Sequence, residues 1–137
     1  MRFDDTLQTV LAADVSTPFG KASAWRQLVD LIGRGRVPAD ARALALLHSI
    51  RDDVPAAVRA ASARALETAQ PPYALVAFCA TDDFAIAAPV LRGARLNSGE
   101  WIELLPRLSA AGRTVLRDRR DLPAGVEQAL AMFAGDF

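Results

Sequence analysis

Two stretches of the chain decide the fold: residues 52–66, DDVPAAVRAASARAL, and residues 82–96, DDFAIAAPVLRGARL. Each opens on a pair of carboxylates. Apolar residues then fall at matching places, Val58, Ala61 and Leu66 in the first and Ala88, Leu91 and Leu96 in the second. That spacing follows a helix face, not the alternating faces of a strand. Asp52-Asp53 and Asp82-Asp83 stand where carboxylates cap free backbone N–H groups and meet the positive end of a helix dipole. A shorter apolar segment precedes each, Leu44 to Ile50 and Tyr73 to Ala80. The unit is therefore a helix pair that recurs after about 30 residues, near the short end of helical repeats. One such pair cannot bury both its faces, so neighbours are expected to stack and share a continuous core. Small side chains at Ala57, Ala60, Ala61, Ala87 and Ala88 are expected to let adjacent helices approach closely.

Working outward, Phe3, Leu7, Val10 and Leu11 share one face of a segment from Phe3 to Ala13, which Thr17, Pro18 and Gly20 interrupt. A helix from about Lys21 to Arg34 carries Trp25, Leu28, Val29 and Ile32 as an apolar stripe. Gly33 and Gly35 end it, and Pro38 helps to open the next. Towards the C-terminus a less regular pair spans Trp101 to Leu108 and Ala110 to Arg120, with Asn97 and Glu100 spaced as a capping box. Asp121-Leu122-Pro123 starts a last helix carrying Val126, Leu130 and Phe133. Pro89 should kink its helix, and Pro106 should kink or end its own. These segments predict an all-α fold of about eight or nine helices in one domain over residues 1–137. An irregular helical bundle has the same periodicity and is the alternative architecture.

Composition agrees. The 137 residues are 52% hydrophobic and 23% charged, the range of globular chains. Alanine and leucine dominate the apolar set, and both enter helices at low cost. Sixteen basic residues balance sixteen acidic ones, so no net field draws the chain to nucleic acid or anionic lipid. A single cysteine, Cys79, has no internal disulfide partner and suits a reducing compartment. The start, MRFDDTLQTV, is acidic where a secretory leader would be basic, and charge breaks every long apolar stretch. A cytoplasmic location is expected, with neither membrane nor nucleic acid as partner.

Few residues suggest chemistry. His48 is the one histidine, so no multi-histidine metal site is expected. Leu47-His48-Ser49-Ile50-Arg51 faintly resembles a phosphoacceptor helix, although Ser49 stands where an acid would take the imidazole proton. Histidine phosphotransfer through His48 is therefore an alternative function. Asp52-Asp53 and Asp82-Asp83 read as caps before paired acids or cation ligands. Arg117, Arg119 and Arg120, diluted by Asp118 and Asp121, read as a solvated helix end and not as a phosphate patch. Trp25 and Trp101 read as packing residues, and Cys79 as an inert buried thiol. No catalytic, cofactor-binding or metal-binding residue is assigned.

The second half carries an ordered series of motifs. Ala87-Ala88-Pro89-Val90-Leu91 is followed by the acidic helix Trp101-Ile102-Glu103-Leu104-Leu105, then by Arg119-Arg120-Asp121-Leu122-Pro123. Over residues 72–134 this series resembles a bacterial HEAT-like helical-repeat family of unknown function, in which an A-x-P-V-L helix, a short acidic helix and an R-x-D-L-P turn follow in that order. Residues 1–70 are less diagnostic. Ala24-Trp25-Arg26-Gln27-Leu28-Val29-Asp30-Leu31 looks like the opening of N-terminal regions of certain sensor histidine kinases, where helical repeats precede a PAS domain and the kinase core. The resemblance implies antiparallel helix pairs stacked in a short right-handed superhelix. It also implies a non-catalytic protein-interaction or signal-input domain of a two-component system, with a protein partner or a second copy of the chain bound. The parent chain, if longer, would be a histidine protein kinase, and the end at Gly135-Asp136-Phe137 is consistent with that. A free-standing helical scaffold or ligand sensor is the remaining alternative. No functional residue carries over, because the matched motifs are structural.

Overall fold

A computed structural model describes residues 15–133, and these form an all-helical fold with no strand among them. The helices are α1 (Pro18–Gly33), α2 (Ala41–Ile50), α3 (Ala56–Leu66), α4 (Tyr73–Ala80), α5 (Phe84–Gly93), α6 (Ser98–Leu104), α7 (Ala110–Arg117) and α8 (Val126–Ala131). Short 3-10 turns at Arg51–Asp53 and Leu105–Arg107 extend α2 and α6. The helix expected over Phe3 to Ala13 lies outside the described residues.

Local chemistry accounts for most boundaries. Thr17 and Pro18 begin α1 where a break was expected. The Thr17 hydroxyl accepts from the Gly20 amide at 3.0 Å, and proline occupies the first turn, where its missing N–H costs nothing. At the other end Gly35 takes a positive φ of 73°, which lets its amide reach the Ile32 carbonyl. Asp40 caps α2 through the Ala43 amide, so that helix starts later than Pro38 suggests. The Asn97–Glu100 capping box is present in full, with bonds of 2.8 and 3.0 Å. Pro106 ends α6, whereas α5 continues through Pro89 as one helix to Gly93.

The odd-numbered helices form a row: α1 packs on α3, α3 on α5, and α5 on α7. The first three run parallel, because like ends meet. Lys21 near the start of α1 reaches Asp53 ahead of α3, and Arg59 near the start of α3 reaches Asp82 ahead of α5. At the far ends Gly33 meets Leu66 and Gly93 meets the Glu67 backbone. A Cβ added at Gly93 would fall 2.0 Å from the Glu67 carbonyl oxygen, so this approach requires glycine. The even-numbered helices connect the row. Among them α4 is apolar on all sides, and Leu75 to Ala80 are buried throughout, as a central helix should be.

The predicted stripe of α1 faces inward, with Trp25, Leu28, Val29 and Ile32 all at 2% exposure or less. Each aliphatic side chain so buried contributes about 1.5–3 kcal/mol. The alanines divide otherwise than expected. Ala87 and Ala88 are buried, but Ala57 and Ala61 face outward, and Ala63 takes the inner position of α3. The register of the repeat also shifts. Asp83 abuts the first residue of α5, while Val54 and Pro55 separate Asp53 from α3. Leu66 consequently lies within α3, but Leu96 lies beyond the end of α5.

Candidate functional site

One side chain joins α5, α6 and the chain after α7. Arg119, just past α7, is 10% exposed. Its Nη1 donates to the Leu91 carbonyl at 2.9 Å and the Ala94 carbonyl at 2.7 Å, closing the C-terminal end of α5. Nε and Nη2 grip both oxygens of Asp121 at 2.9 and 3.0 Å. The guanidinium lies over the Trp101 ring, 5.7 Å from its centroid. Hydrogen bonds from Arg119 hold the Asp121 carboxyl below the usual carboxylate range, with the Arg119 and Arg95 charges adding to the effect. A planar cation with a fixed fork of donors suits this task, which a lysine could fill only in part.

The neighbouring arginines act alike. Arg113 donates to the Leu105 and Leu108 carbonyls and lies over the Phe133 ring at 4.3 Å. Arg117 donates to the Leu130 and Phe133 carbonyls at the end of α8. The expected solvated helix end is thus corrected: Arg117 and Arg119 clamp backbone carbonyls, and Arg120 alone of the three is exposed.

The aspartate pairs need a similar correction. Asp83 occupies the N-cap position of α5 and Pro55, not Asp53, that of α3, neither with a side-chain cap bond. The carboxylates bridge helices instead. Asp53 takes the Lys21 ammonium at 3.0 Å on the exposed surface. Asp82, 5% exposed, takes the Arg59 guanidinium, itself 11% exposed, and also accepts from the Asp83 amide at 2.7 Å. Arg59 further donates to the Val54 carbonyl at 3.1 Å. Arg59 to Val54 and Arg113 to Leu108 repeat one local device, an arginine in the first turns of the helix folding back five residues.

His48 lies exposed in the last turn of α2, its ring edge-on to Phe78 at 4.6 Å, with no hydrogen bond or ion pair among the described residues. Trp25 packs near the same ring, 5.7 Å from Phe78. Cys79 is buried, and burial pushes its thiol up to about 12, which leaves it protonated and unreactive in the folded chain. Burial also raises the Tyr73 phenol, with Glu103 adding to the shift. Among the described residues no three of His, Cys, Asp and Glu gather as a metal site. No helix among them is long and apolar enough to cross a membrane.

Among the described residues, hollows open between helices of the row. A groove of about 420 Å³ lies between α1 and α3, where Ala61, Ser62 and Ala65 leave space opposite Arg26, Gln27 and Asp30. A more polar notch of about 520 Å³ lies at the ends of α3 and α5, bounded by Glu67, Gln70, Arg92, Arg95 and Asp121. Sequence reading missed both, since each is made by residues from different helices. No family model, curated protein or solved structure matches the chain.

Proposed function

We propose that the chain is a HEAT-like helical-repeat domain, its antiparallel pairs stacked in a short right-handed superhelix. It serves as a non-catalytic protein-interaction or signal-input module, N-terminal to the PAS domain and kinase core of a cytoplasmic sensor histidine kinase. The observation that carries this reading is the row α1, α3, α5 and α7, its first three helices parallel, tied helix to helix by Lys21–Asp53, Arg59–Asp82 and the Arg119 clamp. Such a row presents one long outer face to a partner while its polar side chains are spent on holding neighbours together. The side chains of Arg59, Asp82, Arg113 and Arg119 all bond within the fold, although the buried Asp82 Oδ2 has no hydrogen-bond partner, and this favours docking over chemistry.

Phosphotransfer through His48 is separable by experiment. The wild-type chain and a His48→Gln variant are incubated with radiolabelled acetyl phosphate and examined for acid-labile label. Neither should incorporate it. Label on wild type that is lost in His48→Gln would replace the interaction reading with phosphotransfer. The kinase assignment is checked by reading the gene: a PAS-like segment and an H-E-x-x-x-P box in frame after residue 137 support it, and a stop codon there removes it.

A further inference from the structure

Within the row α3 is the helix least covered by its neighbours. Of its 11 residues only Ala63 and Leu66 are buried, whereas α5 beside it buries Ile86 to Leu91 without interruption. Ala57, Ala61 and Ala65, four residues apart, leave one exposed face of α3 without a charged group. The groove of about 420 Å³ lies where that face meets α1. Ala61, Ala65, Val29 and Leu66 line it with carbon, and Arg26, Gln27 and Asp30 form its rim on α1. Asp30 is already paired with Arg34 at 2.9 Å, but no hydrogen bond or ion pair engages Arg26 among the described residues.

Residues 1–14 precede the described part, and their sequence supplies a matching surface. Phe3, Leu7, Val10 and Leu11 fall on one helical face, and Asp4 borders it. Val15 already packs on the core, so Asp14 to Thr17 make a short tether to the start of α1. The register is set by the helical rise. A helix folded back antiparallel to α1, at 1.5 Å per residue, puts Leu7 about 9 Å, Asp4 about 14 Å and Phe3 about 15 Å along α1 from Pro18. Arg26 stands about 12 Å and Asp30 about 18 Å along the same line, so the segment's apolar face comes level with the groove. With that face turned into the groove, the right-handed winding of both helices directs Asp4 to the side where α1 carries Arg26.

We infer that the groove between α1 and α3 docks the chain's own N-terminal segment, residues 1–14, with Phe3 and Leu7 set against Ala61 and Ala65 and Asp4 facing Arg26. Tethering selects this occupant over others. A segment joined through a few residues meets the groove at an effective concentration of about millimolar, which a second copy or a free partner does not reach in dilute solution. Shape selects it too, because the small side chains of Ala61 and Ala65 leave room for the ridge of a neighbouring helix. Docking of this kind goes beyond the interaction reading and sets an order of events: a partner reaches this groove only after the segment leaves it. It does not depend on the kinase assignment.

The test is disulfide trapping in the full chain. Leu7→Cys/Ala61→Cys, oxidised with copper phenanthroline in dilute solution, is expected to close a bridge within one chain. Non-reducing electrophoresis shows it as a faster monomer, and mass spectrometry identifies the linked peptides. Thr9→Cys/Ala61→Cys puts the thiol on the far face of the segment and should close about tenfold more slowly, for want of the Cβ approach a disulfide needs. Arg26→Glu should slow the first bridge about two- to fivefold, and adding Asp4→Arg should restore it, as an exposed ion pair predicts. Cys79 is buried, and the single variants Leu7→Cys and Ala61→Cys report any bridge to it. Ala61 and Arg26 are exposed, and an unchanged circular dichroism melt verifies each fold. No bridge, or equal rates from positions 7 and 9, overturns the assignment, and so does a charge swap that fails to restore the rate. A bridge that forms only between chains also overturns it and gives the groove to a second copy. None of these outcomes bears on the His48 labelling result, so the interaction reading is judged separately.

Discussion

Replacing Arg119 by alanine should destabilise the domain by about 3 kcal/mol. The magnitude follows from what the side chain holds. Two carbonyls at the end of α5, those of Leu91 and Ala94, lose a charged donor at 2.9 and 2.7 Å. A hydrogen bond to a charged group contributes about 1.5–3 kcal/mol, and water entering the vacated space recovers part of the loss. Contact with the Trp101 face adds about 0.5–1 kcal/mol. Arg119→Lys should lie between wild type and alanine, because an ammonium can serve one carbonyl but cannot also grip Asp121 with a fork. Urea unfolding followed by tryptophan fluorescence and by circular dichroism gives the comparison, with coincident transitions confirming two-state behaviour. An Arg119→Ala loss below about 0.5 kcal/mol, the range of ordinary surface substitutions, would refute the clamp. So would a lysine variant as stable as wild type.

Equivalent ion pairs in successive helix pairs should differ in worth because they differ in burial. Asp82→Asn leaves Arg59, 11% exposed, with only the more distant Asp83 carboxylate at 4.0 Å and should cost about 3 kcal/mol, whereas Asp53→Asn breaks an exposed pair and should cost less than about 1 kcal/mol; equal shifts in urea midpoint would contradict this. Gly93→Ala drives a Cβ to 2.0 Å from the Glu67 carbonyl oxygen and should cost about 3 kcal/mol through overpacking, while Gly99→Ala, which meets only the Asn97 Oδ1 at 3.5 Å, should stabilise by about 0.5–1 kcal/mol. Thermal melts of the two variants should therefore move in opposite directions. Asp121 has a carboxyl held below its ordinary value by Arg119, so its contribution is present above the unfolded carboxylate pKa and is lost as pH falls through the folded one. Stability measured down an acid series should fall less steeply in Asp121→Asn than in wild type, and parallel acid limbs would show that the pair adds nothing.

Local signals were legible and distant ones were not. The α1 stripe, the Asn97–Glu100 box and the all-helical character all depend on residues within a few positions of one another, where periodicity and capping chemistry operate. The roles of the acids and arginines depend on partners far along the chain. Asp82 looked like a cap because nothing within its own helix reveals Arg59, 23 residues earlier. Arg119 looked solvated because its carbonyls lie 25 and 28 residues away. The register of the repeat went astray for a local reason: matching Asp52-Asp53 to Asp82-Asp83 aligns the acids, but Val54 and Pro55 delay the start of α3. The two hollows left no sequence signal, since each is the space between helices rather than a property of any one.

The ordered motifs of the second half have one physical explanation. The A-x-P-V-L segment supplies Leu91, whose carbonyl Arg119 takes at 2.9 Å. The acidic helix supplies Trp101, whose buried ring lies beneath the guanidinium. The R-x-D-L-P turn supplies Arg119 itself and the Asp121 that fixes its fork. Three segments separate in sequence thus meet at a single side chain. Each is needed for a different reason: open carbonyls to cap, an apolar face to cover the cation, and a carboxylate to balance its charge. Removing any one leaves a largely buried guanidinium with part of its donors or its charge unsatisfied, which is costlier than never burying it. The clamp therefore ties α5, α6 and the chain after α7 into one unit, and it does so at the edge where Arg92 and Arg95 remain turned to solvent.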